Sequence, residues 1–384
     1  MLRSGLRVAP QATGHGSETL PDLEDAELLK TSRLRDVSVN GGVVRAGAGA
    51  LAGDVAAAAG ERGLVAALGL AATVGVTGLA LGGGTGWLSR AHGLTSNTVR
   101  AFEVVLASGE RLRVDAEHEP ELFWALRGGG GRFAVVTAVE LEARPASEVS
   151  AGMLVWPVER AAEVLDKFRR WTADVPEALG TVFRYLSLPD LDAVPAPLRG
   201  RKVVAVIAAH LGPDGERLIE PLRGDTLVDT FGSVSPADLV RVAGDPEQPI
   251  PTRGDGLMVH DLDVDAVAGL IDDGLDPLSV FELRLLGGAL ARVPEDPGAL
   301  AKLDGAYSVF AGGAAPDDAA SAAIGERLQQ VRERLAPWTS PQALLNSSGR
   351  GTDPARAFDA ATWERLGAVR EAFDPDQRLL AAHS

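Results

Sequence analysis

The sequence predicts an α+β fold divided into more than one lobe. Its 384 residues exceed the ~100–200 residues of an ordinary domain, so we expect two or three lobes with room for a ligand cleft. Alternating apolar and polar residues over 34–46 and 99–114 predict two β-hairpins, and an alanine-rich stretch at 49–62 predicts a helix between them. The short strands show little sign of repeated βαβ units, which indicates a mixed fold for the first part.

The pattern changes beyond Pro145. Longer helical stretches alternate there with apolar strands, which predicts a separate sheet that carries helices. The helices are expected at 158–175 and 316–335, and the strands at 202–210 and 279–286. After Trp338 comes a stretch rich in proline and glycine, then a helix over 362–373 and a short tail.

Composition narrows the range of functions. A net charge of −16 and a pI near 4.9 argue against nucleic acid, because binding to phosphates needs clustered lysine and arginine. Zero cysteines exclude disulfides, thiolate metal sites, thiol nucleophiles and cysteinyl attachment of a cofactor. Residues 1–10 lack the apolar core of a secretory signal, and no run of ~20 apolar residues could span a membrane. We therefore expect a cytoplasmic protein that acts on a small organic molecule, with no metal site and with its oligomeric state open.

The densest motif is a glycine run, in which six of the twelve residues from Gly75 to Gly86 are glycine. Glycine at this density is costly in conformational entropy, so an ordered role usually means that backbone N–H groups approach something closely. A diphosphate is the usual occupant. A flexible loop and tight backbone packing are the alternatives that the residues alone leave open.

A second glycine cluster, Gly128–Gly131, contains a formal GxGxxA pattern at Gly129, Gly131 and Ala134. A dinucleotide-binding Rossmann motif needs a strand before the glycines and a helix after them. Here a helix is predicted before them and a strand over 133–141 follows, so the match is accidental. Neither cluster fits the P-loop pattern.

A third element is the tight turn after the predicted strand at 6–9, where His15 stands between Gly14 and Gly16. A lone histidine in a turn is usually solvated. Flanking glycines favour a functional role, because they let backbone amides surround an anion while the imidazole points into the same cleft.

Together the three elements resemble the FAD-binding domain of the vanillyl-alcohol oxidase superfamily, and most closely its berberine-bridge-enzyme-like branch. Further similarity lies in 350–354, 363–366 and 373–376. The resemblance implies a PCMH-type FAD-binding domain of two subdomains over 1–145, whose first strand–helix unit is expected to be absent. It also implies a substrate domain over 146–337, with an antiparallel sheet covered by helices, and a C-terminal segment over 338–384 that returns to the FAD domain.

The function that the resemblance implies is an FAD-dependent oxidoreductase. Such an enzyme takes a hydride from a carbon bearing oxygen or nitrogen and passes the electrons to dioxygen or another acceptor, while the protein positions and tunes the flavin. In this family the histidine at the position of His15 commonly carries a covalent bond to the flavin 8α-methyl. A second, cysteinyl link is ruled out by Ala71. The cofactor-binding residues so assigned are Ala12, Thr13, Gly14, His15, Gly16, Ser17, Thr73, Gly75, Val76, Gly78, Gly82, Gly83, Gly84, Gly86 and Val136.

The catalytic residues are left unknown, because the sequence departs from the family pattern at several positions. In the C-terminal segment the family often has a Tyr-x-Asn motif whose tyrosine lies near the flavin, and the corresponding stretch here is Leu344-Leu345-Asn346. Arg132 replaces an asparagine and adds bulk that could crowd the cofactor. Glu282, Arg284 and His260 are weak candidates for a base. These departures keep two alternatives open, a catalytically silent relative and a cofactor-free ligand-binding protein.

Overall fold

The first part of the chain forms two sheets with short helices. A computed structural model describes residues 6–146 and 148–383. Strands β1 and β2 form a parallel pair, and six further strands form an antiparallel sheet in the order β3-β4-β8-β6-β7, with β5 also on β8. The strands are β1 Arg7–Gln11, β2 Ala26–Lys30, β3 Val37–Asn40, β4 Val43–Gly47, β5 Leu64–Ala66, β6 Val99–Val105, β7 Arg111–Val114 and β8 Val135–Pro145. The helices are α1 Ala52–Gly60, α2 Val76–Leu81, α3 Ser89–His92 and α4 Pro120–Leu126.

Local sequence signals place these elements where they were predicted. The first hairpin pairs Asn40 with Val43 around Gly41 and Gly42, whose φ angles of 55° and 82° need glycine. The second hairpin and the alanine-rich helix are confirmed as well. Helix α4 precedes the second glycine cluster and β8 follows it, so the element order excludes the Rossmann motif.

The second part of the chain is an eight-stranded antiparallel sheet with helices on one face. Its order is β12-β9-β11-β10-β15-β16-β14, with β13 also on β9. The strands are β9 Val149–Pro157, β10 Leu179–Ser187, β11 Lys202–Leu211, β12 Val228–Asp229, β13 Gly232–Ser233, β14 Thr252–Val259, β15 Val280–Leu285 and β16 Tyr307–Ala314. The helices are α5 Ala161–Thr172, α6 Gly215–Ile219, α7 Val264–Asp272 and α8 Asp318–Leu335.

Alternation along the strands decides what each face of this second sheet contacts. Phe183 of β10 and Phe281 of β15 join the apolar core under the helices, together with Phe168 of α5. Val182, one residue earlier on β10, points the other way and packs with Trp87 of the first part. The second sheet therefore presents its helix-free face to the glycine run.

The C-terminal segment returns to the first part, as predicted. Helix α9 (Ala360–Phe373) places Leu366 and Val369 in the core of the first sheet. The tail then runs parallel to β1, where the N–H of Val8 donates to Arg378 O at 2.7 Å and the N–H of Leu380 donates to Val8 O at 2.8 Å. Strand β1 thus has a neighbour on both sides.

Within the described residues, none of the helices has both the length and the apolar character needed to cross a bilayer.

The two parts approach each other at glycines. A Cβ built on Gly180 would lie 2.3 Å from Trp87 O, and one on Gly288 would lie 2.3 Å from Arg90 O. Inside the first part, a Cβ on Gly86 would lie 1.7 Å from Leu68 O. Any side chain at these positions would overlap backbone, so the contacts require glycine.

Gly86→Ala is expected to lower the free energy of unfolding by at least about 3 kcal/mol, because backbone at Leu68 must move to admit the methyl group. The matched control is Gly367→Ala in α9, where a Cβ meets nothing within 4 Å. That control should raise the free energy of unfolding by about 0.5–1 kcal/mol through helix propensity. Denaturant unfolding of both variants checks the pair, and equal stabilities would contradict the packing argument.

Candidate functional site

The His15 turn and the glycine run meet side by side. A Cβ on Gly75 would lie 3.3 Å from both Ala12 Cβ and Thr13 Cγ2, so the two backbones can approach only because residue 75 is glycine. The ring nitrogen Nε2 of His15 lies 3.4 Å from Thr73 O. Ser17 is exposed on the same turn, where its N–H donates to Gly14 O and closes the turn. The structure therefore brings together two motifs that are separated by about sixty residues in the sequence.

The donors that line this junction suit an anionic group. The N–H groups of Thr13, Gly14, His15 and Gly16 donate to no acceptor within 6–146 and 148–383, and the same holds for Gly75 and Gly78. Gly14 adopts a φ of 91°, a left-handed conformation that lets successive amides turn towards one point. Gly78 is exposed, with nothing within 4 Å of a built Cβ, and Val76 is buried beside it. This cradle fits a diphosphate.

The glycines in the second half of the run make packing contacts inside the protein. A Cβ on Gly83 would lie 2.7 Å from Leu300 Cδ2, and one on Gly84 would lie 2.6 Å from Thr95 Oγ1. Their carbonyls accept hydrogen bonds from the N–H groups of Ser96 and Thr95. Gly83, Gly84 and Gly86 are thus held by packing inside the protein, and a direct contact with a cofactor stays a prediction for them.

Asn346 is a site residue that sequence reasoning missed. Its Oδ1 accepts the N–H of Gly84 at 2.7 Å, and its amide nitrogen occupies the space beside Gly82, where a Cβ would lie 2.4 Å away. The side chain is otherwise exposed, so it borders the cleft. The signal available was the asparagine of the family's Tyr-x-Asn pattern, which survives here although the tyrosine does not. Leu344, at the tyrosine position, is buried in an apolar cluster.

The second glycine cluster, Gly128–Gly131, adjoins the glycine run from the other side. The N–H of Gly130 donates to Leu81 O at 2.9 Å, and a Cβ on Gly131 would lie 3.4 Å from Leu81 Cδ1. Val136 pairs with Val104 in the core of the first sheet, and its side chain is buried there. Only its backbone could reach a ligand, so its assignment as a binding residue stays a prediction.

The tail crosses between these motifs. A Cβ on Gly16 would lie 3.4 Å from Ala382 Cβ, which places the tail against the His15 turn. The N–H of His383 donates to Thr19 O at 3.1 Å, and its Nε2 lies 3.0 Å from Leu345 O. Burial lowers the pKa of His383. A neutral imidazole therefore joins the His15 turn to the segment that carries Asn346.

The helix-free face of the second sheet carries a buried ion cluster. Arg184 Nη2 lies 2.6 Å from Glu282 Oε2, and Arg284 Nη2 lies 2.8 Å from Glu282 Oε1. Arg184 also pairs with Asp245 at 2.8 Å, and Arg284 Nη1 donates to Thr85 Oγ1 at 2.7 Å. Burial by itself raises the pKa of Glu282, but the two guanidinium charges outweigh it and hold the pKa at about 2. Glu282 is therefore a fixed carboxylate with both oxygens engaged, which makes it unsuitable as a base.

The remaining candidates for proton transfer lie away from the cleft. Tyr185 and Tyr307 belong to the core on the helix-covered face of the second sheet. His260 is exposed just after β14, and its backbone N–H donates to Trp338 O. Arg284 is held by Glu282 and Thr85. Of the residues that the sequence singled out as possible bases, none is both free and directed at the glycine run.

Arg132, which directly follows the second glycine cluster, extends to α9. Its guanidinium carbon lies 4.5 Å from the ring centroid of Trp363 and 5.5 Å from that of Phe133. Burial, and after it the charge of Arg370, lowers the pKa of Arg132 to about 10. Whether its bulk crowds a cofactor stays a prediction.

No cluster of three or more histidine, aspartate or glutamate side chains that could hold a metal ion is found among residues 6–146 and 148–383.

Glu282→Gln is expected to lower the free energy of unfolding by about 3–5 kcal/mol, because it leaves the buried guanidinium of Arg184 and the half-buried one of Arg284 short of a counter-charge. Glu326→Gln, on the exposed side of α8, is the control and should change little. Since the folded pKa of Glu282 lies below its usual value of 4.5, its contribution is full above pH 4.5 and is lost as the pH falls towards 2. Denaturant unfolding at several pH values should show the difference from wild type narrowing over that range, and a constant difference would contradict the assignment.

Comparison with known proteins agrees with this geometry. The family described as "FAD binding domain" matches residues 1–115. The chain is 27% identical over 409 aligned positions to (R)-6-hydroxynicotine oxidase of Paenarthrobacter nicotinovorans, and the alignment covers 98% of this chain and 85% of that protein.

Solved structures show the same fold. The 6-hydroxy-D-nicotine oxidase of Arthrobacter nicotinovorans superposes with a TM-score of 0.82 at 23% identity, covering 98% of this chain and 85% of that one. The berberine-bridge-enzyme-like protein 1 of Physcomitrella patens superposes with a TM-score of 0.80 at 19% identity, covering 97% and 85%. Taken with the glycine-lined junction at His15, these findings indicate an FAD-dependent oxidoreductase whose fold is that of the berberine-bridge-enzyme-like structures.

Proposed function

We propose that this oxidoreductase takes a hydride from a carbon bearing oxygen or nitrogen in a small organic substrate, in the cleft between the glycine run and the second sheet. The observation that carries the proposal is the junction at Gly75, where the His15 turn lies 3.3 Å from a built Cβ and six backbone N–H groups lack an acceptor within the described residues. The electrons then pass to dioxygen or another acceptor.

The residues of the junction divide the work of holding FAD, which supplies the two-electron redox chemistry when bound. The N–H groups of 13–16, with those of Gly75 and Gly78, would hold the diphosphate. His15 stands at the edge of this donor set, exposed and beside Thr73 O, and would tether the flavin ring through its imidazole. Ala71 leaves no second tether.

The second sheet would form the wall opposite the flavin. Its buried cluster of Arg184, Glu282 and Arg284 is fixed by four ion pairs and hydrogen bonds, one of which reaches Thr85 in the glycine run. A wall held this firmly sets the width of the cleft and so the position of a substrate carbon. The cytoplasmic location expected from the sequence stays a prediction.

His15→Ala is expected to remove covalently held flavin, because no cysteine is present to replace the imidazole. The measurement is the visible spectrum of purified protein before and after acid precipitation. Wild type should keep flavin absorbance in the precipitate, and His15→Ala should lose it. His260→Ala, which removes an exposed histidine outside the cleft, should behave as wild type.

Two results would count against this assignment. A colourless wild-type protein that cannot be reconstituted with FAD would refute the cofactor site. Flavin that precipitates with His15→Ala as it does with wild type would refute the tether alone.

Turnover is tested separately by anaerobic bleaching of the flavin band. A panel of alcohols, sugars and amines should contain at least one class that bleaches the band, and admission of dioxygen should restore the band if dioxygen is the acceptor. A flavin that is present but is bleached only by dithionite would support a catalytically silent protein instead.

A further inference from the structure

A cavity of about 270 Å³ lies at the free edge of the second sheet, outside the glycine-lined cleft. It is bounded by β14, by α8 and by the loop over 349–356. Four guanidinium groups line it, and we call it the arginine pocket: Arg253, Arg332, Arg350 and Arg356.

Three of the four arginines are anchored in a way that leaves donors unused. Arg350 donates through Nε to Glu18 O at 3.2 Å, and Arg356 donates through Nε to Pro341 O at 3.1 Å. Arg253 donates through Nη1 to Ser321 O at 2.7 Å. Within the described residues, these three therefore keep free terminal N–H groups, and their hydrogen bonds to carbonyls do not neutralise their charge. An arginine fork held by one nitrogen and open at the others is suited to an oxyanion.

The acidic groups near the pocket do not cancel this charge. Asp255 is the only carboxylate among the lining residues, and it is already used: Oδ1 accepts the N–H groups of Gly256 and Gly349, and Oδ2 pairs with Arg332. Glu18 lies nearby, where burial raises its pKa against the opposing charges of Arg253 and Arg350. In a chain of net charge −16, a pocket with surplus positive charge is a local exception that attracts anions.

We propose that the arginine pocket binds a small oxyanion of the phosphate class. This site goes beyond the proposed redox function and does not depend on it. Its charge suits a dianion, and Gly351, with a φ of 83° and open space around it, lets the loop backbone approach the ligand. Because Arg350 also holds the carbonyl of Glu18, three residues after His15, an occupied pocket would brace the His15 turn from outside.

Two sources of the oxyanion are possible, free inorganic phosphate and an anionic group on the substrate. A second cavity of about 450 Å³, lined by 18–22 and His383, shares Arg350, Gly351 and Thr352 with the arginine pocket. A substrate that reached through this second cavity could place an anionic tail on the arginines.

The test is isothermal titration calorimetry of the purified protein with inorganic phosphate at constant ionic strength, with chloride as the reference anion. Wild type should bind phosphate and show no heat with chloride. The double variant Arg350→Gln/Arg356→Gln should bind at least about tenfold more weakly, because two charge-assisted donors are lost. Arg201→Gln, which removes an exposed arginine just before β11, is the control for loss of charge away from the pocket and should bind as wild type.

The proposal is overturned if wild type gives no phosphate heat, or if the double variant and Arg201→Gln bind equally. If the double variant fails to fold, Arg356→Gln alone decides, since its side chain is exposed and loses only the contact with Pro341. Flavin absorbance recorded on the same samples separates this outcome from failure of the cofactor site. Where a bleaching substrate is known, phosphate that raises its KM assigns the pocket to a substrate tail, and phosphate that leaves KM unchanged assigns it to free phosphate.

Discussion

The structure depends on backbone meeting backbone at positions that have no Cβ. Gly86 against Leu68, Gly180 against Trp87 and Gly288 against Arg90 bring chain segments to distances that no side chain would permit. Two of these contacts join the first part of the chain to the second sheet. Because protein interiors transmit small displacements instead of absorbing them, these contacts fix the separation of the cleft walls. The cradle at Gly75 is then one member of a larger set of glycine contacts.

Two buried arginines and one partly buried arginine add hydrogen bonds and ion pairs across the junction that the glycines permit. Arg90 donates to Leu286 O at 2.8 Å, Arg127 binds Asp296 at 3.0 Å, and Arg284 reaches Thr85. Each arginine belongs to one part of the chain and donates to a residue of the other. A hydrogen bond that involves a charged group contributes about 1.5–3 kcal/mol to stability. Removing one partner would leave a desolvated charge without its hydrogen bonds. These contacts therefore favour one relative position of the two parts over slightly shifted ones.

Sequence reasoning succeeded where the signal is local. The Gly41-Gly42 turn and the helix-then-strand order around Gly128–Gly131 follow from neighbouring residues, and the structure confirms both. The sequence could not show which glycines of the run line the cradle and which pack inside the protein. The packing partners Leu300 and Asn346 come from distant segments of the chain. Sequence reasoning likewise left Glu282 as a possible base, since its partner Arg184 stands 98 residues away. Periodicity carries no information about contacts between such distant residues.

The parallel pairing of Val8 with the tail at Leu379 has a consequence for how the protein is made. The strand that leads into His15 gains its second neighbour only after residues 378–380 have left the ribosome. A contact between residues so far apart in the sequence is slow to form, because a very large loop must close first. The His15 turn therefore reaches its final support late in folding, after the segment that carries Leu379 has docked.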